Sequence, residues 1–278
     1  MGALAPTGCG LLGQEGVLRL GNVGWDENVA VSSLTKALLE DELAYERVEI
    51  STAGLDSTYR GVASGELDAF QDVWLPNQED LLEGVAGDVE HLDPWFLGQT
   101  KQGMAVPAYM DARSIDQLGG TDAEFIFGIE PSSVMMREVA GDVIPAYGLE
   151  QKLVEEPTAG MLAEVERRYA LREEFVFLAW SPHWMNLRFD IRYLEDPRGA
   201  MDKTNNPAEV STIVGEHLRE EDPTAYAFMD ALALTEDQVE GLERAINEEG
   251  DSLAGARRWA SENRGVVRPW IEAARDAR

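Results

Sequence analysis

The sequence predicts an α/β fold with largely parallel sheets, and two observations carry that reading. Short apolar segments of strand character alternate with helical segments of about 8–14 residues, the kind of crossover that returns a chain to a parallel neighbour. This alternation occurs twice, once near the start and once from about residue 125, before the chain turns mostly helical from about residue 206. Two such units fit a two-lobed protein whose first lobe is completed by the C-terminal segment. The length of 278 residues also accommodates one large doubly wound domain.

The elements follow in order. Residues 17–23 are rich in apolar side chains and flanked by glycine, as suits a strand. Val29, Val31, Leu34, Leu38 and Leu39 then recur at helical spacing up to Glu40, with Asp26 placed to act as N-cap. A second strand is predicted at 47–51 and a helix at 57–64, ended by Gly65. Residues 68–74 read as a strand running into a loop broken by Pro76. In the second unit, 125–129 is a strand, 132–140 and 160–169 are helices, and 175–180 is a strand ending at Ser181-Pro182. Helices are predicted at 208–220, 223–233, 235–248 and 252–263. Residues 1–16 are rich in glycine and small residues, lack periodicity, and read as a disordered tail.

Composition narrows the function classes. With 44% hydrophobic residues the chain can bury a substantial core. The 52 acidic against 23 basic residues give a formal charge of −29, which repels phosphate backbones and argues against a nucleic-acid partner. One cysteine excludes an intramolecular disulfide and a cysteine-based zinc cluster, and His91, His183 and His217 lack metal-ligand spacing. No metal or cofactor is expected. No apolar run approaches the roughly 20 residues that cross a bilayer. Only Lys36, Lys101, Lys152 and Lys203 are lysines, and acidity with scarce lysine suits a surface hydrated in strong salt. A GC-rich coding bias over an ordinary acidic surface is the alternative.

Nothing points to catalysis: there is no G-x-S-x-G elbow, no phosphate-cradling glycine loop ending in Lys-Ser/Thr, and no H-E-x-x-H. The tryptophans are more informative. Trp25, Trp74 and Trp180 each stand where a predicted strand gives way to a loop, and parallel α/β sheets bind ligands beyond the carboxyl ends of their strands. Three indole faces form a receptor for a quaternary ammonium, which offers no hydrogen-bond donor and is held by cation–π attraction of about 0.5–2 kcal/mol per ring. Each of the three could instead be an ordinary core residue. Trp95, Trp259 and Trp270 read as packing residues.

At these residues the sequence resembles the substrate-binding proteins of ABC transporters for glycine betaine, choline and related osmoprotectants. The carrying motifs are Gly24-Trp25-Asp26-Glu27, Asp72-Val73-Trp74-Leu75-Pro76, Gly128-Ile129-Glu130-Pro131 and Trp180-Ser181-Pro182-His183-Trp184-Met185-Asn186. Ile144-Pro145-Ala146-Tyr147-Gly148-Leu149 and Tyr193-Leu194-Glu195-Asp196-Pro197 complete an ordered set that spans about residues 17–263.

The resemblance implies a type II periplasmic-binding-protein-like fold, two α/β lobes hinged by two crossover strands. Lobe one would be 17–104 plus 206–278, and lobe two 105–205. It implies an aromatic cage of Trp25, Trp74 and Trp180, with Gln102 where many choline-binding relatives carry a further aromatic. For a ligand carboxylate, the turn Glu130-Pro131-Ser132-Ser133 opens a helix whose free backbone N–H groups are candidate donors, joined by the Ser132 and Ser133 hydroxyls and by His183; His183 has an alternative role in bracing the Pro182 turn. Glu27 stands where choline-binding relatives keep an acid near the ligand hydroxyl, or else is a first-turn acid favoured by the helix dipole.

The function implied is an extracytoplasmic receptor, not an enzyme. It would capture glycine betaine or a related betaine, or alternatively choline, and deliver it to an ABC permease. A sensory ligand-binding module is a further alternative. A monomer is expected. Thr7-Gly8-Cys9-Gly10 resembles the end of a bacterial lipoprotein signal, so Cys9 is either a lipid-anchor site or an incidental thiol.

Overall fold

A computed structural model describes residues 17–278; the tail 1–16, and with it Cys9, lies outside the described residues. The chain begins with β1 (Val17–Asn22), α1 (Asp26–Glu42), β2 (Arg47–Thr52), α2 (Leu55–Ala63), β3 (Ala69–Leu75), α3 (Glu79–Glu83) and β4 (Val89–His91). It then passes into β5 (Lys101–Pro107), β6 (Phe125–Phe127), α4 (Val134–Glu138), α5 (Ile144–Tyr147), β7 (Lys152–Val154), α6 (Thr158–Leu171), β8 (Val176–Ser181), α7 (Met185–Arg188) and β9 (Ile191–Tyr193). The last segment holds β10 (Glu209–Gly215), α8 (Leu218–Glu221), α9 (Pro223–Ala231), α10 (Glu236–Glu249), α11 (Ser252–Glu262) and α12 (Arg264–Asp276).

Ten strands form two five-stranded sheets built to one plan. The first has the order β2-β1-β3-β10-β4 and the second β7-β6-β8-β5-β9. In each, three strands run parallel and a fourth is inserted antiparallel against the third, β10 on β3 and β5 on β8. The inserted strands follow the two crossings of the chain between sheets, one between β4 and β5, the other between β9 and β10. β5 starts at Lys101, so the first crossing ends within the span assigned from sequence to lobe one. Each sheet is the core of one α/β unit.

Two sequence expectations need correction. Residues 208–220 were expected to be helical, but Val210-Ser211-Thr212-Ile213-Val214 form most of β10, and all five are buried. Four of the five are β-branched residues with stiff side chains that suit a pleated surface buried on both faces. The apolar run was read at the wrong period. The sheets are therefore mixed rather than largely parallel. Second, the N-cap of α1 is Trp25, with no side-chain cap bond, and Asp26 lies inside the first turn. Asp26 is drawn away from capping because its carboxylate accepts the indole N–H of Trp184.

The predicted helix at 132–140 is longer than its pattern indicated. α4 runs through a π-helical turn, Val139–Val143, into α5. The helical C-terminal region covers the first sheet: α1 packs against α10 and α11, and α9 against α12. Trp259 and Trp270 are buried there, as packing residues.

Candidate functional site

The three tryptophans at strand ends meet. Trp25 follows β1, Trp74 is the penultimate residue of β3 and Trp180 the penultimate residue of β8. All three border one cavity between the two sheets. The β1–α1 turn that delivers Trp25 is specified locally. Gly24 sits at φ +94°, a conformation that L side chains rarely adopt, and a Cβ there would lie 3.3 Å from Glu130 Oε1. The Val23 N–H donates to Asn28 Oδ1 (2.9 Å) and the Gly24 N–H to Asn22 Oδ1 (2.8 Å).

Each indole N–H is already engaged by a carboxylate. Trp25 Nε1 donates to Glu130 Oε2 (3.1 Å), Trp74 Nε1 to Asp72 Oδ1 (2.7 Å) and Trp180 Nε1 to Glu27 Oε2 (2.8 Å). With the polar handle satisfied, each indole has its π system left for a ligand. Glu130 is itself fixed from behind by the Thr158 N–H (2.9 Å) and hydroxyl (2.8 Å). Trp180 is braced by the His183 ring, edge-on at 4.6 Å.

Several of these bonds span the two sheets' units, so the cleft is closed. Trp25 and Glu27 belong to the first unit and Glu130 and Trp180 to the second. Ser132 Oγ accepts the Leu55 N–H (3.2 Å), Asn77 Nδ2 donates to Gln102 Oε1 (2.6 Å), and Ser181 Oγ donates to Glu236 (2.7 Å). Trp184 bonds across to Asp26 through its indole and to Glu243 through its backbone N–H (2.7 Å).

The charge around the cavity is unusual. Glu27 and Asp72 are both fully buried, and no lysine or arginine is among the residues bordering the cavity. Desolvation pushes the Glu27 carboxyl well above its ordinary range, reinforced by the charges of Asp72 and Glu243. Desolvation lifts Asp72 to about 8, against the opposing bond from Trp74. Glu243 is likewise raised by burial, with Asp26 adding to it. Burial lowers His183 to about 3, so its imidazole is neutral and supplies no compensating charge.

The sequence-predicted residues therefore separate. Trp25, Trp74, Trp180, Glu27 and Ser133 border the cavity. Ser133 also caps α4, its hydroxyl accepting the Met136 N–H at 3.0 Å. Ser132 and His183 are not among the bordering residues. Ser132 lies at the contact with Leu55. His183 sits fully buried behind Trp180, its Nδ1 accepting the Met185 N–H at 3.1 Å and its Nε2 facing Asp26 at 3.4 Å. Polar residues that sequence reasoning did not select also border the cavity: Asn77, Gln78 and Thr204. Asn77 and Gln78 directly follow the Trp74-Leu75-Pro76 motif, and that adjacency is the signal that would have found them. The Tyr59 hydroxyl donates to Gln78 Oε1 (2.7 Å), which leaves the Gln78 amide N–H groups as donors. The Asn77 Oδ1 is buried without a partner.

Comparison with known proteins bears on this geometry. The family model of the substrate-binding domain of ABC-type glycine betaine transport systems matches residues 16–262. The chain belongs to this family. Family membership makes it a transporter's binding domain rather than an enzyme. A curated relative, the glycine betaine/carnitine transport binding protein GbuC of Listeria monocytogenes serotype 1/2a (strain 10403S), is 28% identical over 115 residues, 41% of this chain. The matched region spans 37% of that relative's length. Lactococcal OpuAC, in its closed-liganded conformation with glycine betaine, superimposes with a TM-score of 0.80 at 27% identity, over 92% of this chain and 99% of its own. An ABC-transporter choline-binding protein in complex with choline superimposes with a TM-score of 0.81 at 23% identity, over 94% and 97% of the two chains. The second likeness shows the shared two-lobed fold.

Proposed function

We propose that this family member captures a quaternary ammonium osmoprotectant, glycine betaine or a related betaine, between its lobes and delivers it to an ABC permease. The observation that carries the reading is the set of three tryptophans bordering one cavity, each N–H turned to a carboxylate, with no basic side chain among the described residues of the wall. A trimethylammonium group lacks donors and is matched by their π systems, at about 0.5–2 kcal/mol per ring. The ligand carboxylate would be met by the amide N–H groups of Gln78 and Gln102 and by the Ser133 hydroxyl. Ser132 and His183 would act indirectly, Ser132 by holding the lobes together at Leu55 and His183 by setting the Trp180 ring.

A second reading, choline as the preferred ligand, is favoured by one observation: the Glu27 carboxyl borders the cavity and can accept a hydroxyl proton. Both readings place the receptor outside the cytoplasm as a monomer, in the periplasm or at the cell surface, tethered by a lipid on Cys9. No helix among the described residues is long and apolar enough to cross a membrane.

The test is a tryptophan-fluorescence titration with glycine betaine and with choline, on wild type and Trp180→Ala. Saturable change in wild type, weakened in the variant, is expected, and the tighter ligand selects between the two readings. No response to either ligand from folded protein would overturn the proposal. For the tether, mass spectrometry of protein from native membranes should find Cys9 acylated, and an unmodified thiol removes that part.

A further inference from the structure

Of the seven tryptophans, three border the cavity, and Trp95, Trp259 and Trp270 are buried in the core. Trp184 does neither. It is only partly buried, it does not border the cavity, and it lies in the segment after β8. Its indole N–H donates to the Asp26 carboxylate at the start of α1, and its backbone N–H donates to Glu243 Oε2 on α10 at 2.7 Å. Both acceptors belong to the unit that does not contain Trp184.

These contacts come from the same two turns that build the cage. Trp25, Asp26 and Glu27 are consecutive: Trp25 borders the cavity, Asp26 accepts the Trp184 indole, and Glu27 accepts the Trp180 indole at 2.8 Å. In the other unit, Trp180 and Trp184 bracket a single turn that is braced from within. Asn186 Nδ2 donates to the Trp180 carbonyl (2.7 Å) and to the His183 carbonyl (3.0 Å), and the Tyr193 hydroxyl donates to Asn186 Oδ1 (3.0 Å). The Met185 N–H closes the turn onto His183 Nδ1 (3.1 Å). The His183 ring touches both indoles, with centroids 4.6 Å from Trp180 and 5.5 Å from Trp184. A turn braced in this way carries both indoles together, so Trp180 meets Glu27 as Trp184 meets Asp26.

We propose that Trp184 is a positioning residue for ligand capture: with Asp26 it latches the cleft shut from outside the cage and sets how long the ligand stays bound. This rests on the quaternary-ammonium reading and deepens it. The bond joins two units that part when the cleft opens, so it belongs to the closed form alone. It stabilises the closed, occupied state without touching the ligand and leaves the open state that admits the ligand unchanged. Its loss therefore falls on the dissociation rate rather than the association rate. A partly exposed hydrogen bond to a carboxylate corresponds to about tenfold. Because the latch reads closure and not chemistry, the factor is the same for glycine betaine and for choline.

The experiment is stopped-flow tryptophan fluorescence of the full chain with glycine betaine and with choline. The slope and intercept of the relaxation rate against ligand concentration give kon and koff, and a ligand-free thermal melt accompanies each variant. Trp184→Phe and Asp26→Ala should each raise koff about tenfold for every ligand that binds and leave kon within about twofold. The double variant should be no worse than the larger single effect, since both changes remove one bond. Asp26→Asn keeps an acceptor oxygen and should lose less than Asp26→Ala; that comparison carries the test if Trp184→Phe does not fold. Wild-type koff in the single variants overturns the proposal, as do effects that multiply in the double variant, and either result leaves the quaternary-ammonium reading standing. A kon that falls in step with the ligand-free melting temperature also overturns it, because that marks a purely structural role. Silence of the wild type towards both ligands overturns the quaternary-ammonium reading, and the latch with it.

Discussion

Trp180→Phe separates ligand capture from fold stability. Trp180 is on β8 and its indole donates to Glu27 Oε2 on α1 at 2.8 Å, a bond that spans the two units and is present only when the cleft is shut. Phenylalanine keeps a ring against His183 but removes that N–H. A typical hydrogen bond of this kind contributes about 0.5–1.5 kcal/mol net. Exchanging indole for the weaker phenyl π face costs roughly a further 0.5 kcal/mol with a cationic ligand. Together these come to about 1–2 kcal/mol, or roughly 5–30-fold in Kd. With the cleft open neither interaction is made, so a ligand-free melting temperature set by the open form should hold. Calorimetric titration with choline or glycine betaine, alongside a ligand-free thermal melt, measures both quantities. Unchanged affinity would refute the assigned role of the indole. A melting temperature falling in step with affinity would show that Trp180 serves the core rather than the cleft.

Three further outcomes follow from the same structure. Glu130→Gln places an amide donor against the indole of Trp25 or the N–H of Thr158, so it should destabilise by about 1–2 kcal/mol and loosen ligand binding; thermal melts and titration check both, and wild-type values for each would refute it. Asp72 keeps its proton in the folded protein up to about pH 8, whereas the unfolded chain loses it near pH 4. Native stability should therefore fall as pH rises from about 4 to about 8 and then level off, and Asp72→Asn should flatten that slope in urea melts. His183 acts in the opposite direction: neutral down to about pH 3 when folded, it should cost stability as pH falls below about 6.5, a loss that His183→Gln would reduce. Finally, if the −29 charge belongs to a surface kept hydrated in strong salt, the melting temperature should rise between low and molar salt; a flat response would remove that reading.

Two α/β units are legible in the sequence, because strand and helix periodicities are local and apolar residues cluster in β1, β3 and β8. The sequence also determined the cage candidates. Trp25, Trp74 and Trp180 could be picked out because each ends a strand, and position along a strand is readable from order alone. The identity of β10 was not legible, since a short apolar run carries no period that separates a buried strand from a helix. Its place between β3 and β4 depends on a partner more than a hundred residues away.

The tertiary structure alone decided which polar residues face the cavity. His183 sits beside the cage motif in sequence, yet the turn after β8 folds it behind Trp180. Asn77 and Gln78, unremarkable in sequence, are carried to the wall by the chain leaving β3. The burial of Glu27 and Asp72 was equally invisible. Among 52 acidic residues nothing local marks these two, and their raised proton affinity comes from desolvation, with the charge of Asp72 adding to the shift of Glu27, effects that exist only once α1 and β3 are packed together.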